Sequence, residues 1–267
     1  MAIADPPLVT LTTDFGLRDP FVGVMKGVLL SICPSARLVD LTHDLAPGDI
    51  RGAALALEAA LPFFPEGTVH LVVVDPGVGT ARRPLALRAR RHYLVGPDNG
   101  VFTPFVEGAA AVALTAPEYR RAQVSRTFHG RDVFAPAAAY LAAGVPLERL
   151  GPPVPDPVRL PIPGSRLEAG ALVGEVLDVD RFGNLLTSIE ATRLGELPGS
   201  GPLRVEVAGH TIGGLVEAFA AGAAEAAAAI VGSTGRVEIF VRDGSAARRL
   251  GVGRGAPVRV RRAPEPG

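Results

Sequence analysis

The sequence predicts a two-domain chain: an α/β N-terminal domain built on a largely parallel sheet, followed by a smaller β-barrel-like domain. Three observations carry this. Strand-like and helix-like patterns alternate from residue 8 to residue 143. Residues 151–164 (GPPVPDPVRLPIPG) then carry proline at almost every second or third position. Beyond them, short strand patterns separated by turns dominate.

Residues 8–13 (LVTLTT) alternate as a half-buried strand does and end at Asp14-Phe15-Gly16. Residues 22–32 follow with helical spacing and stop before Pro34, which cannot continue a helix. Residues 37–42 (RLVDLT) are a second strand. Residues 49–63 (DIRGAALALEAALPF) form a strong helix, capped by Asp49 and closed near Pro62. The apolar run 69–74 (VHLVVV) has strand length and ends at Asp75-Pro76-Gly77. Further strands fall at 85–88, 93–96 and 111–115, with another helix over 133–143. This order gives a mostly parallel sheet with helices on both faces. In such sheets ligands bind beyond the carboxyl ends of the strands, where Asp14 and Asp75 both lie. The proline-rich stretch cannot donate a regular hydrogen-bond ladder and reads as a stiff linker. The α/β domain therefore takes residues 1–152, the linker 153–168 and the β-barrel-like domain 169–267. In the last, strands are expected at 171–179, 203–207, 237–241 and 258–261, and a helix over the alanine-rich residues 216–230.

Composition excludes several classes of function. Of 267 residues 48% are hydrophobic, enough for a sizeable core, and 27 acidic residues balance 27 basic ones. The arginine pairs Arg82–Arg83, Arg90–Arg91 and Arg120–Arg121 are scattered, so nothing favours a nucleic-acid partner. Cys33 is the single cysteine, which leaves no disulfide framework or thiolate cluster and fits a reducing cytoplasm. The opening MAIADPP lacks a secretory pattern. The most membrane-like stretch, 219–231, is interrupted by Glu225 and is shorter than the roughly 20 apolar residues of a spanning helix, so no membrane partner is expected.

Several short motifs can carry chemistry. Asp14, at a strand end and followed by glycine, can chelate both hydroxyls of a ribose, although a lone aspartate there also serves as a cap or turn former. The run Asp75-Pro76-Gly77-Val78-Gly79-Thr80 lacks the endings of a phosphate-binding loop; its glycines allow close backbone approach, and Arg82 can fold back toward Asp75. Gly96-Pro97-Asp98-Asn99-Gly100 is a strong turn signal in its own right. Thr127-Phe128-His129-Gly130 sets a histidine beside glycine ahead of a helix, and imidazole suits proton transfer near neutral pH. In the second domain Asp180 and Asn184 flank Phe182, which can stack on a base or cover a cation. Ser233-Thr234-Gly235 and Gly244-Ser245-Ala246 offer backbone groups to a base edge, and Glu238 can meet an ammonium or face water. No acidic–histidine cluster has zinc-like spacing, so no metal is expected.

Taken in order, TDFG, VVDPGVGT.RR, GPDNG, TFHGRD, D.FGN and S.GR.EI resemble the S-adenosyl-L-methionine (SAM) hydroxide adenosyltransferase family, relatives of fluorinase and chlorinase, over residues 10–251. The resemblance implies an α/β nucleoside-binding catalytic domain and a β-barrel-like domain. It also implies homotrimers that bind SAM between one subunit's first domain and its neighbour's second. It matches Asp14 to the ribose-holding aspartate, and Asp75, Arg82 and His129 to a water-activating set. Asp180, Phe182 and Asn184 match the D.FGN motif near the methionine amino group, Ser233 a serine near the methionine carboxylate with Glu238 beside it, and Ala246 an adenine contact. In the halogenase branch tyrosines replace Asp75 and His129. The implied reaction is hydrolysis of SAM, as substrate rather than cofactor, to adenosine and L-methionine. Attack on ribose C5′ expels a neutral thioether, so no general acid is needed. Two rivals are a halogenase of the same family and a non-catalytic sensor of SAM or adenosine; a nicotinamide dehydrogenase would need the missing glycine fingerprint.

Overall fold

The computed structural model describes residues 5–263, which fall into two compact units meeting at Pro161 and Ile162. In the first unit, β1 (Leu8–Thr13), α1 (Phe21–Ile32), β2 (Arg37–Thr42), α2 (Ile50–Ala60), β3 (Val69–Val73), β4 (Pro84–Ala89), β5 (His92–Pro97), β6 (Ala110–Ala113) and α3 (Ala135–Ala142) follow one another. The sheet order is β2-β1-β3-β5-β4-β6. β2, β1, β3 and β5 run parallel, and β4 runs antiparallel to both its neighbours. The first crossover carries the chain from β1 to β2 on one side, and the second carries it from β2 back to β3 on the other side of β1. The carboxyl ends of β1 and β3 therefore flank the switch point at which such sheets bind ligands.

Alternation along the strands feeds two cores. Val9, Leu11, Leu71 and Val73 face α1 and α3, joined by Met25, Leu29, Phe134 and Leu141. Val72 and Val74 face α2, joined by Ala53, Leu57, Phe102 and Phe105. In α2, Asp49 accepts from Gly52 N–H at 2.9 Å and so caps the helix as its sequence position predicts. The expected helix over 133–143 begins instead with a π-turn, Gly130–Phe134, that runs directly into α3. The front of the proline-rich stretch is tied down within the first unit: Val154 N–H donates to Ala111 C=O, Val158 N–H to Asp98, and Leu160 N–H to Thr103 Oγ1.

The second unit is antiparallel: β7 (Arg166–Glu168), β8 (Ala171–Val179), β9 (Leu185–Glu190), β10 (Leu203–Val207), β11 (His210–Gly213), β12 (Ala227–Val231), β13 (Arg236–Val241), a short α4 (Ala246–Leu250) and β14 (Pro257–Arg262). The order β11-β10-β14-β8-β9-β13-β12 forms a nearly closed barrel, with β7 on β8. The long β8 serves two stretches of sheet, pairing β14 through its first half and β9 through its second. The helix expected over 216–230 is absent. A 3-10 turn at Phe219–Ala221 is followed by β12, which pairs with β13. Alanine's helix preference yields here to packing. A Cβ on Gly222 would stand 2.9 Å from the Phe240 ring, Glu225 takes φ +58°, and the small Ala228 sits opposite Phe240. No helix among the described residues is long and apolar enough to cross a membrane.

Candidate active site

The loop after β3 curls on itself. Val78 N–H donates to Asp75 C=O, and both the N–H and the hydroxyl of Thr80 donate to Gly77 C=O. Gly79 adopts φ +79°, and a Cβ there would lie 2.5 Å from the Arg126 carbonyl oxygen, so the loop reaches the segment before His129 only with glycine. The curl returns Arg82 to Asp75: Nε donates to Oδ1 at 2.8 Å and Nη2 donates to Oδ2. The same Nη2 donates to His129 Nδ1 at 2.9 Å. A carboxylate, a guanidinium and an imidazole remote in sequence thus meet around one nitrogen.

Three residues after His129, Asp132 is wholly buried in the first turn of the π-helical segment. Arg131 donates to both Asp132 oxygens at 2.7 and 2.8 Å, and Ser125 N–H donates at 2.8 Å. Burial alone would raise this carboxyl. The hydrogen bonds from Arg131 and Ser125, with the charges of Arg131 and Arg121, outweigh it and hold Asp132 below the usual range.

Arginine has no acceptor, so His129 Nδ1 must be the acceptor, and the neutral ring carries its proton on Nε2. Burial first, then the Arg82 charge, pushes His129 below the ordinary histidine range, which favours that neutral ring. The Asp75 and Arg82 side chains are only 5% and 10% exposed. Arg82 Nη1 is buried without a hydrogen-bond partner among the described residues, and the guanidinium lies 5.1 Å from the centre of the Phe134 ring. Among the described residues, the guanidinium's hydrogen bonds therefore go to Asp75 and His129.

Asp14 follows β1, as expected. Gly48 N–H donates to its Oδ2 at 2.7 Å, and a Cβ on Gly48 would stand 3.8 Å from the side chain of Pro76, next to Asp75. The turn Gly96–Gly100 is architectural. Asp98 accepts from Arg83 Nε and Val158 N–H, and Asn99 donates to Val74 C=O.

In the second unit a cavity of about 820 Å³ is lined by Asp180, Phe182, Asn184, Ser233 and Glu238, together with residues that sequence reasoning passed over, among them Phe219, Arg242 and Arg248. Phe182 is 77% exposed. Asp180 and Asn184 hold each other: Asn184 N–H donates to Oδ1 at 2.8 Å and Asn184 Nδ2 to Oδ2 at 2.9 Å. Gly183 makes this turn at φ +86°. Glu238 is only 7% exposed, and Gly232 leaves the room for its carboxylate, since a Cβ there would overlap it. Burial, and then the nearby Asp180 charge, raises the Glu238 carboxyl above the ordinary range. Ala246 does not line the cavity. It begins α4, buried in the barrel core, so a base contact at that position falls to backbone atoms. Phe219 and the two arginines sit in alanine-rich and turn sequence with no motif spacing, which left no signal to find them by.

The chain matches two family descriptions, the SAM hydroxide adenosyltransferase N-terminal domain over residues 9–151 and the C-terminal domain over residues 174–259. It is 46% identical over 268 residues to an (R)-S-adenosyl-L-methionine hydrolase of Salinispora tropica, covering 97% of this chain and 99% of that protein. A fluorinase of Actinoplanes sp. is 32% identical over 218 residues, covering 70% of this chain and 73% of that one. Among solved structures, an uncharacterized conserved protein from Thermotoga maritima superposes with a TM-score of 0.88 at 35% identity, covering 95% of this chain and 100% of that one.

Proposed function

This chain belongs to the SAM hydroxide adenosyltransferase family, and from that premise we propose that it hydrolyses SAM to adenosine and L-methionine, with water attacking ribose C5′ in line with the departing sulfur. The observation that carries the reading is the convergence of Asp75, Arg82 and His129 on Arg82 Nη2. The methionine thioether leaves neutral, so the barrier lies in making water a competent nucleophile.

The hydrogen-bond directions divide the work. With Nδ1 engaged by Arg82, the neutral His129 ring presents Nε2–H, a donor that holds the water oxygen. Asp75 keeps lone pairs beyond its two bonds to Arg82 and takes the water proton. Arg82 fixes both partners and supplies positive charge beside the forming C–O bond. Oriented charge of this kind is worth about 10²–10³-fold, and proton transfer about 10²–10⁴-fold. Asp14 holds the ribose hydroxyls. Asp180, Ser233, Glu238 and Phe182 receive the methionine end, while Asn184 holds Asp180 in place. A base contact near Ala246 would use backbone groups. The chain assembles as a homotrimer, each substrate contacting the first unit of one copy and the second unit of its neighbour, works in the cytoplasm, and needs no cofactor or metal.

A single incubation tests the reaction. Purified protein turned over with SAM in ¹⁸O water should yield adenosine labelled at the 5′ hydroxyl. Unlabelled adenosine, or 5′-chloro-5′-deoxyadenosine formed in preference to adenosine in chloride buffer, would sink the reading. Undiminished turnover after chelator treatment checks the absence of metal, and light scattering checks the trimer.

A further inference from the structure

The loop that carries Asp14 is held by a hydrogen-bond chain from the neighbouring strand, and His43 stands at its centre. His43 follows β2 and is buried. Its ring bridges two elements: Nδ1 lies 2.8 Å from Thr13 Oγ1, and Nε2 lies 3.0 Å from Asp40 Oδ1, off the line of a straight hydrogen bond. Asp40 is anchored in turn by Lys26 of α1 at 2.7 Å. A carboxylate only accepts, so it favours the imidazole proton on Nε2 and leaves Nδ1 to accept from the Thr13 hydroxyl. The lone pairs of that hydroxyl stay available, and Phe15 N–H donates to Thr13 Oγ1 at 3.2 Å. The His43 backbone adds a second tie, its carbonyl accepting from Gly16 N–H at 2.8 Å.

Thr13, Phe15 and Gly16 surround Asp14 on both sides, and all three are bound to His43 directly or through one hydroxyl. Among the described residues the Asp14 carboxylate accepts one hydrogen bond, from Gly48 N–H, in the loop that His43 opens. The carboxylate is thus aimed by its neighbours more than by its own contacts. We propose that His43 is a positioning residue for substrate binding, which holds the Thr13–Gly16 turn so that Asp14 presents a carboxylate oxygen to the two ribose hydroxyls. It touches no reacting atom. This rests on the reading of Asp14 as the ribose ligand.

Affinities for adenosine and 2′,3′-dideoxyadenosine, measured by calorimetry, test the two readings separately. Wild type should prefer adenosine by about 10- to 100-fold, the range of hydrogen bonds to a charged group. Asp14→Ala should lose that preference. His43→Ala should reduce it to about threefold or less, leave the dideoxyadenosine affinity unchanged, raise KM for SAM about tenfold and leave kcat nearly intact. His43→Asn sets an amide oxygen where Nδ1 stood and should restore most of the preference. Thr13→Val should reproduce His43→Ala and serves in its place if His43→Ala does not fold. If His43→Ala and Thr13→Val keep the preference while Asp14→Ala loses it, His43 has no positioning role. Equal weakening of both ligands means general damage to the fold and overturns the proposal as well. If Asp14→Ala keeps the preference, the ribose reading fails and this proposal with it.

Discussion

Removing Arg82 separates what it does for the fold from what it does for the reaction. Arg82→Ala deletes two hydrogen bonds to Asp75 and one to His129, and strands a carboxylate only 5% exposed. Breaking a buried pair by taking one partner costs about 3–5 kcal/mol. A chain of this size loses about 2–4 °C of Tm per kcal/mol, so the melt should fall by about 6–20 °C. Turnover should drop by about 10²–10³-fold, the usual cost of one oriented charge in an active site. The paired variant Asp75→Asn with Arg82→Met removes both charges at similar volume. It should recover most of the lost stability, because replacing a buried pair with neutral groups is often nearly neutral, yet turnover should stay low. Arg82→Lys should fall between the two, since an ammonium has no planar fork with which to hold carboxylate and imidazole together. Thermal melts and chromatographic adenosine release on the same preparations measure both quantities. Arg82→Ala with a kcat within tenfold of wild type, or a double variant that regains activity along with stability, would show that Arg82 is structural alone.

At His129, Asn can accept from Arg82 in place of Nδ1 but offers nothing at Nε2; His129→Asn should retain about tenfold more activity than His129→Ala, and equal losses would argue against the clamp. Its lowered pKa also fixes a sign: the ring gains its proton, and loses the Arg82 bond, only below the ordinary histidine range, so kcat/KM should stay level as pH falls to 6.5 and decline only at more acid pH. A decline starting above 6.5 counts against this. Gly232→Ala would force the Glu238 carboxylate out of its place, raising KM for SAM with little change in kcat, and adding Glu238→Gln should then change little more; additive losses would separate the two residues. His70 is fully buried and its pKa is depressed to about 3, by burial first and His92 second. The unfolded chain binds that proton near 6.5 and the folded one does not. Stability is thus complete above 6.5 and should fall by about 1.4 kcal/mol per pH unit between 6.5 and about 3 from this group alone. Denaturant titrations across that window should show a shallower slope in His70→Leu, and an unchanged slope would remove His70 from the acid response.

What was legible in the sequence was local. The strand patterns at residues 8–13 and 69–74 put Asp14 and Asp75 at strand ends, and the spacing Asp75 to Arg82 suited a loop that folds back, because glycine and proline fix that loop's path from within. The cap at Asp49 was equally plain. Features set by distant partners were hidden. β12 is written in helix-favouring alanines, and only the Phe240 ring across the ladder makes small strand residues the better fit. β9 (LLTSIE), starting directly after the Asn184 turn, mixes apolar and polar residues without strict alternation, so its pattern does not stand out from that turn. The reversed direction of β4 follows from the tight Arg90–Arg91 turn, where both residues take positive φ, a cost that pattern alone does not reveal. His43 carries no motif of its own: Asp40 is three residues away, but Thr13, the partner that ties His43 to the Asp14 loop, becomes its neighbour only once β1 and β2 pair.

The same sheet edge also decides which of its aspartates can hold a ligand. Asp14, Asp75 and Asp98 each follow a strand, β1, β3 and β5, although the sequence marks only the first two as site candidates and the third as part of a turn. Their oxygens differ. Asp98 gives one to Arg83 and the other to Val158 N–H, closing the front of the proline-rich segment onto the sheet. Asp75 gives both to Arg82, leaving it lone pairs for a proton but no open face for two hydroxyls. Asp14 gives one oxygen to a single backbone N–H and has its second free of any partner among the described residues. A diol needs a carboxylate with unclaimed acceptors in a fixed direction, and of the three Asp14 comes nearest to that, which supports the reading of it as the ribose ligand. That division rests on side chains from elsewhere in the chain, Arg82 and Arg83 being adjacent residues that point to different strands.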